Sequence, residues 1–148
     1  MPRTHIVRRT FDPAHESVAV LRRGVLVGGA CFRPFEDRRF AELALYAVAD
    51  RERRAGLGTR CMNHLKERLK KRGIRFILTR ADETAVGYFE RQGFSSTITT
   101  PPALYDGLLH DYSGTVLMEC ELYDVNYLEL REMFARQRAA GLPRGNLS

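Results

Sequence analysis

The chain has 148 residues, 44% hydrophobic and 28% charged, with 24 Lys and Arg against 18 Asp and Glu and a net charge of +6. That length suits one domain burying about two-thirds of its unfolded surface, and this composition argues against disorder. No apolar run approaches the roughly 20 residues of a membrane helix, and the start, MPRTHIVRRTF, lacks a secretion signal's apolar stretch, so a membrane-spanning or secreted product is not expected.

Residues 4–11 and 17–22 read as short strands around the turn Asp12-Pro13-Ala14-His15. Val25–Phe32 reads as a third strand, with Gly28-Gly29 marking a bend or bulge, before Arg33-Pro34-Phe35-Glu36-Asp37-Arg38-Arg39 breaks the sheet. Phe40–Val48 is again strand-like, and its single charge is Glu42. Alternation puts Glu42 on the face of Phe40, Ala44, Tyr46 and Val48, with Tyr46 about 13 Å further along the strand. A lone carboxylate among apolar neighbours suits a general base, because such surroundings raise a carboxyl pKa toward working pH. An edge-strand charge against aggregation, or a carboxylate paired with an Arg, would explain the same residue.

Asp50-Arg51-Glu52-Arg53-Arg54-Ala55 and Gly56-Leu57-Gly58-Thr59 follow, then a helix with Cys61, Met62, Leu65 and Leu69 on one face and Lys66, Lys70, Lys71 and Arg72 largely opposite. Glycines at such a turn let backbone N–H groups approach an anion, and the first helical turn favours a phosphate there. The spacing fits neither a dinucleotide fingerprint nor a P-loop.

Gly73 is a plausible helix cap, and Ile74–Thr79 reads as a buried strand. Asp82 can cap a helix over Glu83–Gln92 that carries Ala85, Val86, Tyr88 and Phe89 and ends at Gly93. Phe94–Thr99 resumes strand character, Pro101-Pro102 forces an extended turn, and Leu104–Gly114 reads as an aromatic loop. Thr115–Leu122 is a strand, and Asn126–Ala139 a terminal helix with Leu130, Met133 and Phe134 on one face. Gly141-Leu142-Pro143 stops it, leaving about 141–148 as a flexible tail of the single domain 1–148.

Cys31, Cys61 and Cys120 form no CxxC and fit a reducing compartment; with His5, His15, His64 and His110 they show no metal-ligand spacing, so no metal is expected. Twelve Arg against seven acids in residues 1–60 suit an acidic partner such as a nucleotide cofactor, nucleic acid or a nucleosome surface, or simply a solvated basic face. Mixed strands with few helices, one opened by a mid-chain glycine turn, indicate α+β with a partly antiparallel sheet.

Taken in order, Phe40-Ala41-Glu42, Arg53-x-x-Gly56-x-Gly58-Thr59, Met62-Asn63-His64-Leu65-Lys66-Glu67, Ala81-Asp82-Glu83, Gly87-Tyr88-Phe89-x-x-Gln92-Gly93-Phe94, and Asp111-Tyr112-x-Gly114-Thr115-x-Leu117-Met118-x-Cys120 resemble the general-control (PCAF-like) histone acetyltransferases of the GNAT superfamily. The resemblance reaches back through Arg33-Pro34-Phe35 to about His5. It implies the GNAT N-acyltransferase fold, a mixed and mostly antiparallel twisted sheet flanked by helices. It also implies an acetyl-CoA-dependent lysine acetyltransferase that uses no metal and acts by direct transfer in a ternary complex, so no cysteine nucleophile is required. Glu42 would be the general base.

On the same resemblance, backbone N–H groups around Arg53, Arg54, Ala55, Gly56, Leu57, Gly58 and Thr59 would hold the pyrophosphate, and Tyr46-Ala47-Val48 would receive the pantetheine arm like an added strand. A strand N–H near Tyr46 would serve the oxyanion. Ala85, Tyr88 and Phe89 would complete the cofactor side, while Tyr105, Asp111 and Tyr112 would line the lysine channel. Because a basic protein repels a basic tail, its groove needs local acids such as Glu36, Asp37, Asp106 or Asp111, which as ordinary surface charges would need no such role. The implied partners are a histone tail and a multi-subunit chromatin complex in the nucleus, with the cytoplasm as the alternative; neither sequence-specific nucleic-acid binding nor a membrane is implied.

The chain departs from the family pattern in three places. The family's opening strand and helix have no counterpart here, Leu45-Tyr46-Ala47 stands where Phe-Cys-Ala is typical, and Phe89 stands where many superfamily members carry a Tyr general acid. Tyr46 would narrow the tunnel, protonate the leaving thiolate, or simply pack. A small-amine or non-histone acetyltransferase and a CoA-binding adaptor are the alternative functions.

Overall fold

The computed structural model describes residues 4–10, 15–48, 57–109 and 113–129. Among the described residues six strands form one sheet in chain order: β1 (Thr4–Thr10), β2 (Glu16–Arg22), β3 (Val25–Phe35), β4 (Phe40–Val48), β5 (Phe76–Asp82) and β6 (Thr115–Glu121). All neighbours are antiparallel except β4 and β5, which run parallel and are joined by the crossover helix α1 (Leu57–Lys71). Two short helices, α2 (Val86–Arg91) and α3 (Pro102–Tyr105), lie between β5 and β6. This is the expected α+β architecture.

Local chemistry explains the joins. Arg23 and Gly24 both have positive φ, 55° and 78°, as a two-residue hairpin between β2 and β3 demands. The ladder then slips, because Val20 pairs with Gly28 and Leu21 with Leu26, leaving Val27 as the extra residue of the bulge expected near Gly28. Gly29 is needed for closeness: a Cβ there would lie 2.9 Å from the Val18 carbonyl. At the end of α1, Ile74 N donates to Leu69 O at 3.1 Å and Gly73 N to Lys70 O at 3.0 Å, a Schellman cap around Gly73 at φ +82°.

The core lies between α1 and one face of the sheet. Met62, Leu65 and Leu69, at helical spacing, pack on Val18, Ala30, Phe32, Ala41 and Leu43. Full burial of each large apolar side chain contributes about 1.5–3 kcal/mol, so this face holds the helix against the sheet.

Several expected boundaries move for physical reasons. β3 continues through Pro34, beyond the last β2 pair at Phe32, so among the described residues β2 asks no ladder bond of the missing proline donor. Asp82 Oδ1 accepts from Ala85 N at 2.9 Å and from the Thr84 hydroxyl at 2.7 Å, and this turn delays α2 to Val86. Phe94–Thr99 does not become a strand: Ser95 alone bridges Glu119, and the Thr99 and Thr100 backbone donors go to the Glu119 carboxylate. Pro101-Pro102 opens α3, with Pro102 at the first helical position, where its absent N–H costs nothing. The terminal helix starts under Asn126, whose Oδ1 accepts from Leu128 N and Glu129 N; Leu130, Met133 and Phe134 lie outside the described residues.

Candidate active site

The site begins with a register slip in β4. Glu42 faces Arg33 and Leu43 faces Phe32, but the next pair is Leu45 with Cys31, so Ala44 is an extra residue. The bulge reverses the alternation beyond it. Tyr46, opposite Ala30, shares the α1-facing side with Leu43 and Phe32, whereas Glu42 lies on the other side with Arg33. The expectation that Glu42, Ala44, Tyr46 and Val48 share one face is therefore corrected.

The bulge also parts the two parallel strands. β4 and β5 pair only from Phe40 with Phe76 to Leu43 with Thr79, although β4 continues to Val48 and β5 to Asp82. At the fork, the Thr79 hydroxyl donates to the Leu43 carbonyl at 2.9 Å, replacing a ladder bond. Beyond it, the edge of β4 at Tyr46, Ala47 and Val48 has no ladder partner on β5.

On the face away from α1, Glu42 is almost fully buried, its side chain 5% exposed, and Arg33 Nη2 lies 3.3 Å from Glu42 Oε1. The carboxylate thus has a cation beside it, not apolar neighbours alone. Arg33 also donates to the Leu108 carbonyl and lies over the Phe35 ring, 4.8 Å from its centre. Phe35 in turn stacks on Phe40 at 4.7 Å. The segment that includes α3 and Tyr105 is tied to the sheet by these contacts and by Glu119, which accepts from the backbone and hydroxyl groups of Thr99 and Thr100. Burial alone would raise the Glu119 pKa, but these hydrogen bonds outweigh it and hold the carboxyl below its ordinary value.

On the α1 face, the Tyr46 hydroxyl donates to the Gly58 carbonyl at 2.5 Å and accepts from the Tyr88 hydroxyl at 2.9 Å. The Tyr46 ring stacks on Tyr88 at 5.7 Å and tilts against Phe89 at 6.2 Å. Burial, then Cys61 and Tyr88, push the Tyr46 phenol far above its ordinary pKa, so it is a poor proton donor. Burial likewise pushes the Cys61 thiol up to about 11, with the Tyr46 hydroxyl pulling the other way. Gly58 fits because it has no side chain: a Cβ would meet the Tyr88 hydroxyl at 2.7 Å. Gln92 Nε2 donates to Thr59 Oγ1 at 3.2 Å, and Lys66 donates to the Gln92 carbonyl, tying α2 to α1.

The fold therefore brings Tyr46, Gly58, Thr59, Ala85, Tyr88 and Phe89 together on one side of the fork. Ala47 and Val48 continue the edge that has no partner on β5, and Leu57 opens α1. Arg53, Arg54, Ala55, Gly56, Asp111 and Tyr112 lie outside the described residues. Glu36, suggested as an acid for a basic substrate, is paired with Arg72. The roles of Arg33, Thr79 and Glu119 were missed because each depends on a partner far away in sequence. Among the described residues no group of three or more His, Cys, Asp or Glu could hold a metal, and no helix is long and apolar enough to cross a membrane.

The sequence pattern of the Acetyltransferase (GNAT) family matches residues 2–94. The chain belongs to this family. Within it, the chain is 42% identical over 142 residues to histone acetyltransferase GCN5 of Oryza sativa subsp. japonica, covering 95% of this chain and 28% of that protein, so it spans less than a third of that relative's length. A crystal structure of Tetrahymena GCN5 matches with a TM-score of 0.74 at 42% identity, over 79% of this chain and 74% of that one. The catalytic domain of Tetrahymena GCN5 histone acetyltransferase in complex with coenzyme A matches with a TM-score of 0.64 at 42% identity, over 79% and 72% of the two chains.

Proposed function

We propose that this domain is an acetyl-CoA-dependent N-acetyltransferase whose acceptor is a protein lysine, with a histone tail as the leading substrate. The observation that carries the proposal is the fork itself: a buried carboxylate, Glu42, stands where β4 and β5 part, beside a strand edge at Tyr46, Ala47 and Val48 that has no partner on β5. An extended pantetheine arm could hydrogen-bond along such an edge as an added strand. Gly58 and Thr59 lie in the first turn of α1, whose backbone N–H groups have no intrahelical acceptor and suit a phosphate, and the same reading extends to Arg53, Arg54, Ala55, Gly56 and Leu57. Acetyl-CoA, when bound, supplies the acetyl group as a thioester.

In this proposal Glu42 removes the proton from the lysine ammonium, since only the neutral amine has a lone pair for attack. Transfer is direct. Burial raises the thiols of Cys61 and Cys120, so neither is primed as a nucleophile at neutral pH. Tyr46 tethers α1 on the cofactor side in preference to donating a proton, and Ala85, Tyr88 and Phe89 pack there. Tyr105, Asp111 and Tyr112 serve the acceptor side. A histone substrate would place the domain in a chromatin complex in the nucleus.

One observation favours a second reading. Glu42 paired with Arg33 is also what a structural ion pair looks like, as in a CoA-binding adaptor without catalysis. The two readings are separated by acetyl-CoA calorimetry together with mass detection of acetylated histone-tail peptide. Tight binding with turnover supports the enzyme, and binding with no transfer to any lysine or small amine supports the adaptor.

A further inference from the structure

One guanidinium joins the carboxylate to the segment that carries α3. Arg33 Nη2 lies 3.3 Å from Glu42 Oε1 and also donates to the Leu108 carbonyl, 75 residues further along the chain. The two residues are direct cross-strand partners, so neither must reach to meet the other. Beneath the guanidinium, the stack of Phe35 on Phe40 restricts its plane.

That segment has other fastenings. Thr99 N and Thr100 N donate to Glu119 at 2.9 and 2.7 Å, and Arg38 Nη1 donates to the Leu104 carbonyl at 2.9 Å. These anchors hold the segment on the sheet without touching Glu42. Among the contacts described, the one from Arg33 reaches both the segment and the carboxylate.

We propose that Arg33 is a positioning residue that registers the acceptor-side wall to the base. It sets the Glu42 carboxylate and the backbone at Leu108 as one unit, so an amine held against that wall meets the carboxylate at a fixed distance. The inference rests on Glu42 acting as the base. A guanidinium suits the task because both contacts come from Nη2, which is held in the plane of a rigid group, whereas an ammonium at the end of a flexible stem is a point charge with no fixed plane.

The test uses the full chain with acetyl-CoA and a histone-tail lysine peptide, comparing Arg33→Gln, Arg33→Lys, Glu42→Gln and the Arg33→Gln/Glu42→Gln pair. Arg33→Gln is expected to fold and to bind acetyl-CoA within about twofold of wild type while its peptide kcat/KM falls about 10–100-fold, much of the loss in kcat. Arg33→Lys should recover part of the loss, and Arg33→Gln should cost little more once Glu42 is Gln, because coupled residues are not additive. If Glu42→Gln is inactive but Arg33→Gln keeps wild-type kcat and peptide KM, the role of Arg33 is overturned and the base stands. If Arg33→Gln lowers thermal stability and acetyl-CoA affinity together with kcat, and Lys gives no rescue, the residue is merely structural and the inference also fails. Retained transfer by Glu42→Gln would instead remove the base on which the inference depends.

Discussion

Replacing Tyr46 with Phe separates tethering from proton donation. The change keeps the ring, with its contacts to Tyr88 and Phe89, and removes a hydroxyl that bonds Gly58 O at 2.5 Å and Tyr88 at 2.9 Å. A net hydrogen bond contributes about 0.5–1.5 kcal/mol; Gly58 also lies within the α1 ladder and the Tyr88 side chain is only half-buried, so the two losses together should cost about 1–2 kcal/mol. At roughly 2–4 °C per kcal/mol for a domain of this size, Tm should fall by about 2–8 °C in a thermal melt followed by circular dichroism. Turnover at saturating substrates should stay within about threefold of wild type, because general acid catalysis is typically worth about 10²–10⁴ and none is assigned to this phenol. An unchanged Tm with kcat reduced about a hundredfold would refute the tether and make Tyr46 the proton donor.

Gly58→Ala should destabilise by about 1–3 kcal/mol, since its Cβ meets the Tyr88 hydroxyl at 2.7 Å. Adding Tyr88→Phe should recover much of that loss, and an equal loss in both backgrounds would show that the close approach is not the cause. Glu119 links pH to stability: its carboxyl is held below the ordinary value, so its contribution is complete above about pH 4.3 and disappears as pH falls through the folded-state value. Glu119→Gln should therefore cost roughly 1–3 kcal/mol in urea unfolding near neutral pH, with the gap from wild type narrowing in acid. A gap independent of pH would argue that Glu119 does not act through its charge.

Features written within a few residues were legible in the sequence. The spacing of Met62, Leu65 and Leu69 marked the buried face of α1, and Gly73 marked its cap. The strand carrying Glu42, the glycine turn and the crossover helix together supported the fold, and ordered motifs supported the family. The bulge at Ala44 was not legible, because a register slip depends on how two strands align and alanine carries no turn signal of its own. Without it, Tyr46 was assigned to the wrong face. Arg33 beside Glu42, and Thr99 with Thr100 on Glu119, likewise depend on long-range pairing that single-strand periodicity does not encode. An Arg partner for Glu42 was an explicit alternative, and the structure supplies that partner without removing the carboxylate from the fork.

The central claim, that Glu42 deprotonates the acceptor lysine, is tested most directly by Glu42→Gln, measured for acetyl transfer to a lysine peptide near neutral pH and for acetyl-CoA affinity. The expected result is a loss in turnover of about 10²–10⁴, with acetyl-CoA affinity within about twofold of wild type. Transfer that persists at the wild-type rate in a folded, acetyl-CoA-binding Glu42→Gln protein would contradict the assignment.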